Sequence, residues 1–300
     1  MNVWILHKNG EDFETQRLIT EFDAVGITAT VVNPTKFDIV VHTTHKTRIH
    51  YDGVLTKLPD LLLTRTGSGT DYFAAAVIRE IEKLGVIVVN NSTAIELVKD
   101  KLATHQKLAT HLIPTPKTML LHFPVKTQVI KDEIGFPCVV KVITGSYGRG
   151  VHLCHNRKQF EATMELIDNL GSKRTMIVQE YISAANGTDL RVLVIGGKVI
   201  GAMQRTAPKG DFRANITNGG TGAPFPLTNE IEHIARETTR VMGLDIGGID
   251  LLFDLNGYKV CECNSAPGFE GFEKYVNVDV AKAIVDYVKF KLILSNASNT

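Results

Sequence analysis

Lys259-Val-Cys-Glu-Cys-Asn-Ser-Ala-Pro-Gly268, with Gly247-Gly-Ile-Asp-Leu-Leu-Phe-Asp254 just before it, carries the densest chemistry in the chain. In an extended segment side chains alternate between faces, so Glu262 and Asn264 point one way and Cys261 and Cys263 the other. By the same alternation Ile249, Leu251 and Phe253 share an apolar face, with Asp250 opposite. Between the two runs, Asn256-Gly257 predicts a hairpin with a type I′ turn, which needs positive φ at both central residues. Folded back, the hairpin would gather Asp250, Glu262 and Asn264. Two carboxylates and an amide oxygen are hard donors that suit Mg²⁺ rather than Zn²⁺.

Upstream, Phe136-Pro-Cys-Val-Val-Lys-Val-Ile143 is an apolar strand carrying one lysine, Lys141, and it runs into Thr144-Gly-Ser-Tyr-Gly-Arg-Gly150. A charged amine on a buried strand is costly unless it is paired or faces a cleft. One reading has Lys141 reaching phosphate oxygens while the glycine-rich loop lays backbone N–H groups over them. The other has it snorkelling beside a hairpin turn. The loop is not a Walker loop, because no Gly-Lys-Ser/Thr follows, and it is not a dinucleotide fingerprint, because Val151 to Cys154 reads as a strand. Met176 to Ile182 is a further strand whose end carries Glu180 and Tyr181, a pair suited to an adenine amine and a ribose hydroxyl. Leu190 to Ile195 and Lys198 to Met203 form a second hairpin across Gly196-Gly197. Arg205, Arg213 and Asn215 follow on a glycine-rich stretch, where arginines are ordinarily solvated. A helix over Asn229 to Met242, stopped by Gly243, and another from about Asp279 to Leu294 complete this half.

The first 98 residues alternate strand and helix patterns, which predicts a small parallel sheet covered on both faces. Residues 37 to 56 are rich in β-branched side chains and read as short strands around a turn at Asp52-Gly53. The loop Arg65 to Thr70 leaves a strand and enters a helix, a position that favours anions or only needs glycine for its backbone angles. Asn90-Asn91-Ser92 caps the next helix. The helical pattern from Thr93 to His111 holds the boundary to a central domain, 99–185, followed by a C-terminal domain, 186–296.

Thirty-three basic and thirty-two acidic side chains give a formal charge of +1, which offers no bulk attraction for nucleic acid or membranes. No segment approaches the roughly 18 apolar residues of a membrane span, and the short run Val3 to Leu6 is no signal peptide, so a cytoplasmic protein is expected. Cys138, Cys154, Cys261 and Cys263 read as free thiols in apolar strands. His42, His45 and His50 read as surface residues.

These pieces resemble, in order and spacing, the ATP-grasp superfamily, and within it the RimK-like glutamate ligases. The resemblance rests on Lys141 with 145–150, Gln179-Glu-Tyr-Ile182, Asp189-Leu-Arg191, Gly210-Asp-Phe-Arg-Ala-Asn215, Gly248-Ile-Asp250 and Glu262-Cys-Asn264 before Pro267-Gly268. It implies an α/β chain, α+β in its C-terminal half, with an ATP-grasp fold behind a doubly wound N-terminal domain. It also implies that Lys101 and Lys141 contact phosphates, with Gly145, Ser146, Tyr147, Gly148 and Gly150 as the covering loop. Glu180 and Tyr181 would meet the adenine, Asp189 the ribose side, and Arg213 and Asn215 the transferred phosphate. Lys141, Arg205 and Arg213 would form the catalytic set, and Asp250, Glu262 and Asn264 would hold Mg²⁺ or Mn²⁺, as two ions. The implied reaction is ATP-dependent joining of an amino acid, L-glutamate by resemblance, to the carboxylate of a protein or peptide C-terminus. A small-molecule or carrier-protein acceptor is the alternative, and a silent nucleotide-binding regulator is the reading from another class. No nucleic-acid or membrane partner is expected, and a homo-oligomer is compatible with the pattern. Ala266 stands where serine is usual before Pro-Gly, and Tyr147 and Arg149 stand where smaller or apolar residues are common. Both departures bear on the acceptor.

Overall fold

The structure is a computed structural model that describes residues 1–43, 48–67, 71–145, 150–169, 175–216 and 219–298. The N-terminal part runs β1 (Asn2–Leu6), α1 (Phe13–Ala24), β2 (Thr28–Val32), β3 (Phe37–Val40), β4 (Arg48–Tyr51), β5 (Val54–Leu55), β6 (Leu61–Thr64), α2 (Tyr72–Lys83) and β7 (Ile87–Val89). Its main sheet has the order β2-β1-β6-β7 and is parallel throughout. A parallel sheet needs cover on both faces, which explains why Leu61, Leu62 and Leu63 in succession are all buried. Leu62 packs with Val77, Ile78 and Ile81 of α2, whereas Leu61 and Leu63 join Leu18 and Phe22 of α1. β3, β4 and β5 form a separate antiparallel sheet. Asp52 (φ +54°) and Gly53 (φ +77°) turn β4 into β5, both in the left-handed region that a type I′ turn requires.

Next come α3 (Ser92–Lys99) and α4 (Lys101–Thr110), two helices where the sequence pattern predicted one. Asp100 breaks them: its carboxylate accepts from Ala103 N at 2.9 Å and caps α4, competing with helix continuation. Asn91 caps α3 through Ala94 N at 2.8 Å. Its neighbour Asn90 is buried and pins domains together. Asn90 Nδ2 donates to Ile246 O (2.8 Å) and Ser265 O (2.6 Å), and its Oδ1 accepts from Asp245 N (2.6 Å) and Ile246 N (2.9 Å).

The central part comprises β8 (Thr118–Leu120), α5 (Thr127–Glu133), β9 (Cys138–Val142), β10 (Val151–Cys154), α6 (Arg157–Asn169) and β11 (Met176–Glu180). Its antiparallel sheet has the order β10-β9-β11-β8. Cys138, Val140 and Val178 face a core with Phe160 and Met164 of α6, so Val139, Lys141 and Gln179 turn to the opposite face.

That face looks onto the C-terminal sheet, built from β12 (Thr188–Ile195), β13 (Lys198–Thr206), β14 (Thr221–Phe225), β15 (Ile246–Asp254) and β16 (Gly257–Asn264) in the order β14-β13-β12-β15-β16. Glycines at 219, 220 and 222 favour a loose loop, yet β14 forms. Among the described residues it pairs with β13 alone, at the sheet's edge, so Pro224 lacks an N–H where an edge strand can spare one. α7 (Asn229–Met242) covers one face through Ile231, Ile234 and Ala235. On the other face Leu193 and Ile195 are buried by α8 (Glu270–Val276) and α9 (Val280–Ser298), whereas Asp189 and Arg191 of the same strand open on a cleft. α9 also packs against α1, so the N-terminal sheet and the C-terminal sheet share one core. Among the described residues no helix is long and apolar enough to cross a membrane.

Candidate active site

The 247–268 hairpin forms, with two local differences from simple alternation. Its turn consists of Leu255 and Asn256, and Gly257 (φ +124°) already pairs with Asp254, so the turn is not Asn256-Gly257 and neither turn residue has positive φ. A Cβ at Gly257 would meet Glu230 Oε1 at 2.3 Å, which selects glycine there independently of the turn. Second, a bulge shifts the register after Asp250: Asp250 pairs with Glu262, whereas Leu251 pairs with Val260. Cys261 is the extra residue. A bulge bends its strand and re-aims side chains, so Cys261 and Glu262 both line the cleft where alternation had put them on opposite faces.

Of the residues named from the sequence, Lys101, Lys141, Gly145, Glu180, Tyr181, Asp189, Arg205, Arg213, Asn215, Asp250 and Glu262 line one pocket between the central and C-terminal sheets. Asn264 lines the adjoining cavity with Glu262 and Ala266, and Gly150 lines a neighbouring one. Ser146, Tyr147, Gly148 and Arg149 lie outside the described residues, as do Ser68, Gly69 and Thr70 of the first glycine loop and His45.

On the central wall, Lys141 Nζ lies 3.6 Å from Cys261 Sγ. Lys101 Nζ donates to Gly145 O at 2.8 Å and lies 3.6 Å from Glu262 Oε1, so it joins the start of the glycine loop to the acidic hairpin. Burial raises the Cys261 thiol above its ordinary value, with Lys141 opposing, so the group stays a neutral thiol at the pocket wall. Glu180 Oε1 accepts from Lys259 Nζ (2.7 Å) and from Lys117 N (2.9 Å), a contact from β11 to β16 that ties the two sheets at one end of the pocket. Tyr181 and Phe212 meet edge to face, 6.4 Å between ring centres.

The C-terminal wall holds a buried chain of charges. Arg205 donates to both oxygens of Asp189 at 2.7 Å, and its Nη2 lies 3.0 Å from Asp250 Oδ2. Arg191 grips Asp250 from the other side. Burial alone would raise the Asp250 carboxyl, but Arg191 and Arg205 outweigh it and hold the group below the usual carboxylate range. Arg213 pairs with Asp211, Nη2 to Oδ2 2.8 Å, and its side chain is over a third exposed, so a polyanion could draw it from that contact.

Among the described residues no three His, Cys, Asp or Glu side chains converge as a metal cage. The oxygen set consists of Asp250 and Glu262 in register, with Asn264 opposite Gly248. Asn264 Nδ2 donates to Gly248 O at 3.3 Å, which turns its amide oxygen away from that strand. Gly248 itself must lack a side chain, because a Cβ there would meet Pro267 Cβ at 2.7 Å. Ala266 reaches the N-terminal domain: a Cβ at Gly67 would lie 3.3 Å from its own. Four residues of this region carried no functional expectation of their own: Cys261, Lys259, His105 and the side chain of Gln179. Only Gln179 had a local signal, a polar residue inside an apolar strand.

The fold is that of the ATP-grasp ligases. An ATP-grasp RimK domain protein from Sphaerobacter thermophilus superposes with a TM-score of 0.74 at 23% identity, covering 96% of this chain and 99% of that one. The ATP-grasp ligase PsnB, solved with a phosphomimetic variant of a minimal precursor, Mg and ADP, gives 0.73 at 20% identity, covering 97% of each chain. The chain belongs to the RimK-like ATP-grasp family: the RimK PreATP-grasp domain matches residues 1–95 and the RimK-like ATP-grasp domain residues 98–288. It is 36% identical over 290 residues to a probable alpha-L-glutamate ligase of Maridesulfovibrio salexigens, covering 96% of this chain and 95% of that protein. It is equally 36% identical over 301 residues to one of Vibrio atlanticus, covering 100% and 99%. The protein is an ATP-dependent ligase.

Proposed function

We propose that this ligase joins L-glutamate to the carboxylate of a protein or peptide C-terminus in the cytoplasm. The observation that carries the reading is a junction. Asn215 lines the nucleotide pocket, the cavity beside Asn264 and the cavity beneath the N-terminal domain, so the reactive end of a nucleotide and two organic substrates have one meeting point. Glutamate as the amino acid is supported by the names of the full-length relatives, and a peptide acceptor by the precursor in the PsnB structure.

In this reading the acceptor carboxylate attacks the γ-phosphorus and ADP leaves. The amine of glutamate then attacks the acyl phosphate, loses a proton, and phosphate departs as the amide forms. No nucleophilic side chain is needed, because ATP supplies the activation. The protein supplies charge and alignment. Lys101 and Lys141 neutralise phosphate oxygens from one wall, and Arg205 and Arg213 face the transferred group from the other. Asp250, Glu262 and Asn264 have the hard-oxygen chemistry to hold Mg²⁺, and a carboxylate has lone pairs enough to serve both a cation and Arg191. Bound there, Mg²⁺ would neutralise charge on the phosphates.

The test is incubation with ATP, Mg²⁺, each amino acid in turn and either a cell extract or a panel of small carboxylates, read by mass spectrometry. A mass increment of one glutamyl residue on a protein supports the reading. The same increment confined to a small molecule would reassign the acceptor.

A further inference from the structure

Under the nucleotide pocket runs a relay of hydrogen bonds whose direction is fixed at both ends. Thr115 Oγ1 donates to Val260 O at 3.1 Å, so it offers only lone pairs to His105 Nδ1, which it contacts. The proton therefore sits on Nδ1, and His105 Nε2 is an acceptor. Gln179 Nε2 lies 2.8 Å from that nitrogen and 2.7 Å from Thr118 Oγ1. Thr118 in turn spends its proton on Pro116 O at 2.9 Å. Both N–H bonds of the Gln179 amide are thus committed. Turning the amide over would set its carbonyl against two lone pairs.

Gln179 is only 2% exposed, yet it lines the pocket, and its Oε1 has no partner among the described residues. It is not among the buried orphan atoms either, so it opens on the cavity. A buried amide that presents one acceptor to a pocket, with its polarity locked from behind, discriminates between ligands that differ in a donor at that point. Val139, Ile182 and Leu252 give the same pocket apolar lining, as a base requires, and Lys101, Arg205 and Arg213 give it phosphate-type cations.

We propose that Gln179 selects adenine, its fixed carbonyl accepting the 6-amino N–H and repelling the 6-keto oxygen of guanine or hypoxanthine, and that His105 is the positioning residue that fixes its polarity. The inference rests on the nucleotide lying in this pocket. Burial, helped by Lys141 and Lys101, draws His105 down to about 3, so the imidazole stays neutral and the relay keeps its direction at working pH.

The experiment is calorimetric titration of the whole protein with ATP, ITP and purine riboside triphosphate, which lacks the 6-amino group. The wild type should bind ATP about tenfold more tightly than the purine analogue and about a hundredfold more tightly than ITP. His105→Leu frees the amide to turn and should bring ATP and ITP within about threefold of each other. His105→Gln, whose own carbonyl can receive the Gln179 N–H, should restore the preference. Equal affinities for ATP and ITP in the wild type overturn the inference and leave nucleotide binding intact. A parallel loss of both ligands in His105→Leu, with their ratio unchanged, overturns the role of His105. Failure to bind ATP at all removes the nucleotide from this pocket and the inference with it.

Discussion

Asp250 and Arg191 stand opposite each other in the register of β15 and β12, and the guanidinium of Arg191 engages both carboxylate oxygens, Nη2 to Oδ2 at 2.8 Å. Asp250 is nearly sealed from solvent, so its charge depends on its two arginines. Removing one partner of a buried pair leaves an uncompensated ion, at roughly 3–5 kcal/mol in a fully isolated case. Arg205 remains in contact, so Arg191→Ala should cost less, about 2–3 kcal/mol. Urea unfolding measures it. A loss within error of zero would mean that Asp250 draws its compensation from Arg205 alone.

Lys141 and Glu262 both line the pocket, and substituting each should separate binding from chemistry. Lys141→Ala should weaken ATP binding by about tenfold or more, as expected for a desolvated ammonium on phosphate oxygens. Glu262→Ala, at a partly exposed position, should melt like the wild type and yet release no ADP with glutamate and acceptor present. Unchanged ATP affinity in the first variant would remove Lys141 from the site. Full activity of the second at saturating Mg²⁺ would remove Glu262 from the metal set.

What could be read from the sequence was local periodicity, and what could not was set by tertiary packing. Alternation alone separates Asp250 from Ile249 and Leu251, because one face of β15 meets α7 and the other a cleft. It does not reveal the bulge at Cys261, since an extra residue leaves no mark in composition. Asp52-Gly53 and Asn256-Gly257 look alike as dipeptides, yet only the first forms the turn expected, because Gly257 is claimed by its pairing with Asp254 and the approach of Glu230. Lys141 stood out as a lone charge in an apolar strand. His105 and Gln179 are 74 residues apart, and nothing local predicts that α4 brings one under the other.

Asn90 is a case of the same kind, and its effect on stability should be large. Its amide makes four hydrogen bonds to backbone groups on β15 and its approach and on the loop after β16, all buried or nearly so. Asn90→Ala would orphan these groups at about 1–3 kcal/mol for each left unpaired, with water relieving some. A net loss of about 3–4 kcal/mol is expected, read from the urea midpoint at constant slope. A loss under about 1 kcal/mol would show that relaxation or water replaces the amide.

The burial of His105 also predicts how stability depends on pH. Its native pKa, about 3, lies below the ordinary 6.5 that the unfolded chain keeps. Between those values the unfolded chain binds a proton that the native chain refuses, so native stability rises with pH across this window. The contribution is complete above 6.5 and is lost progressively as pH falls toward 3. From pH 7 to pH 5 the loss should be roughly 2 kcal/mol from this group alone. His105→Gln keeps the relay without a titrating ring, so its stability should fall less over the same interval. The difference between the two proteins, measured by urea unfolding at pH 7 and pH 5, isolates the imidazole from the carboxylates common to both. Equal losses would mean that His105 takes up its proton in the folded protein, and that the Gln179 amide turns its carbonyl toward the new Nε2–H as it does so.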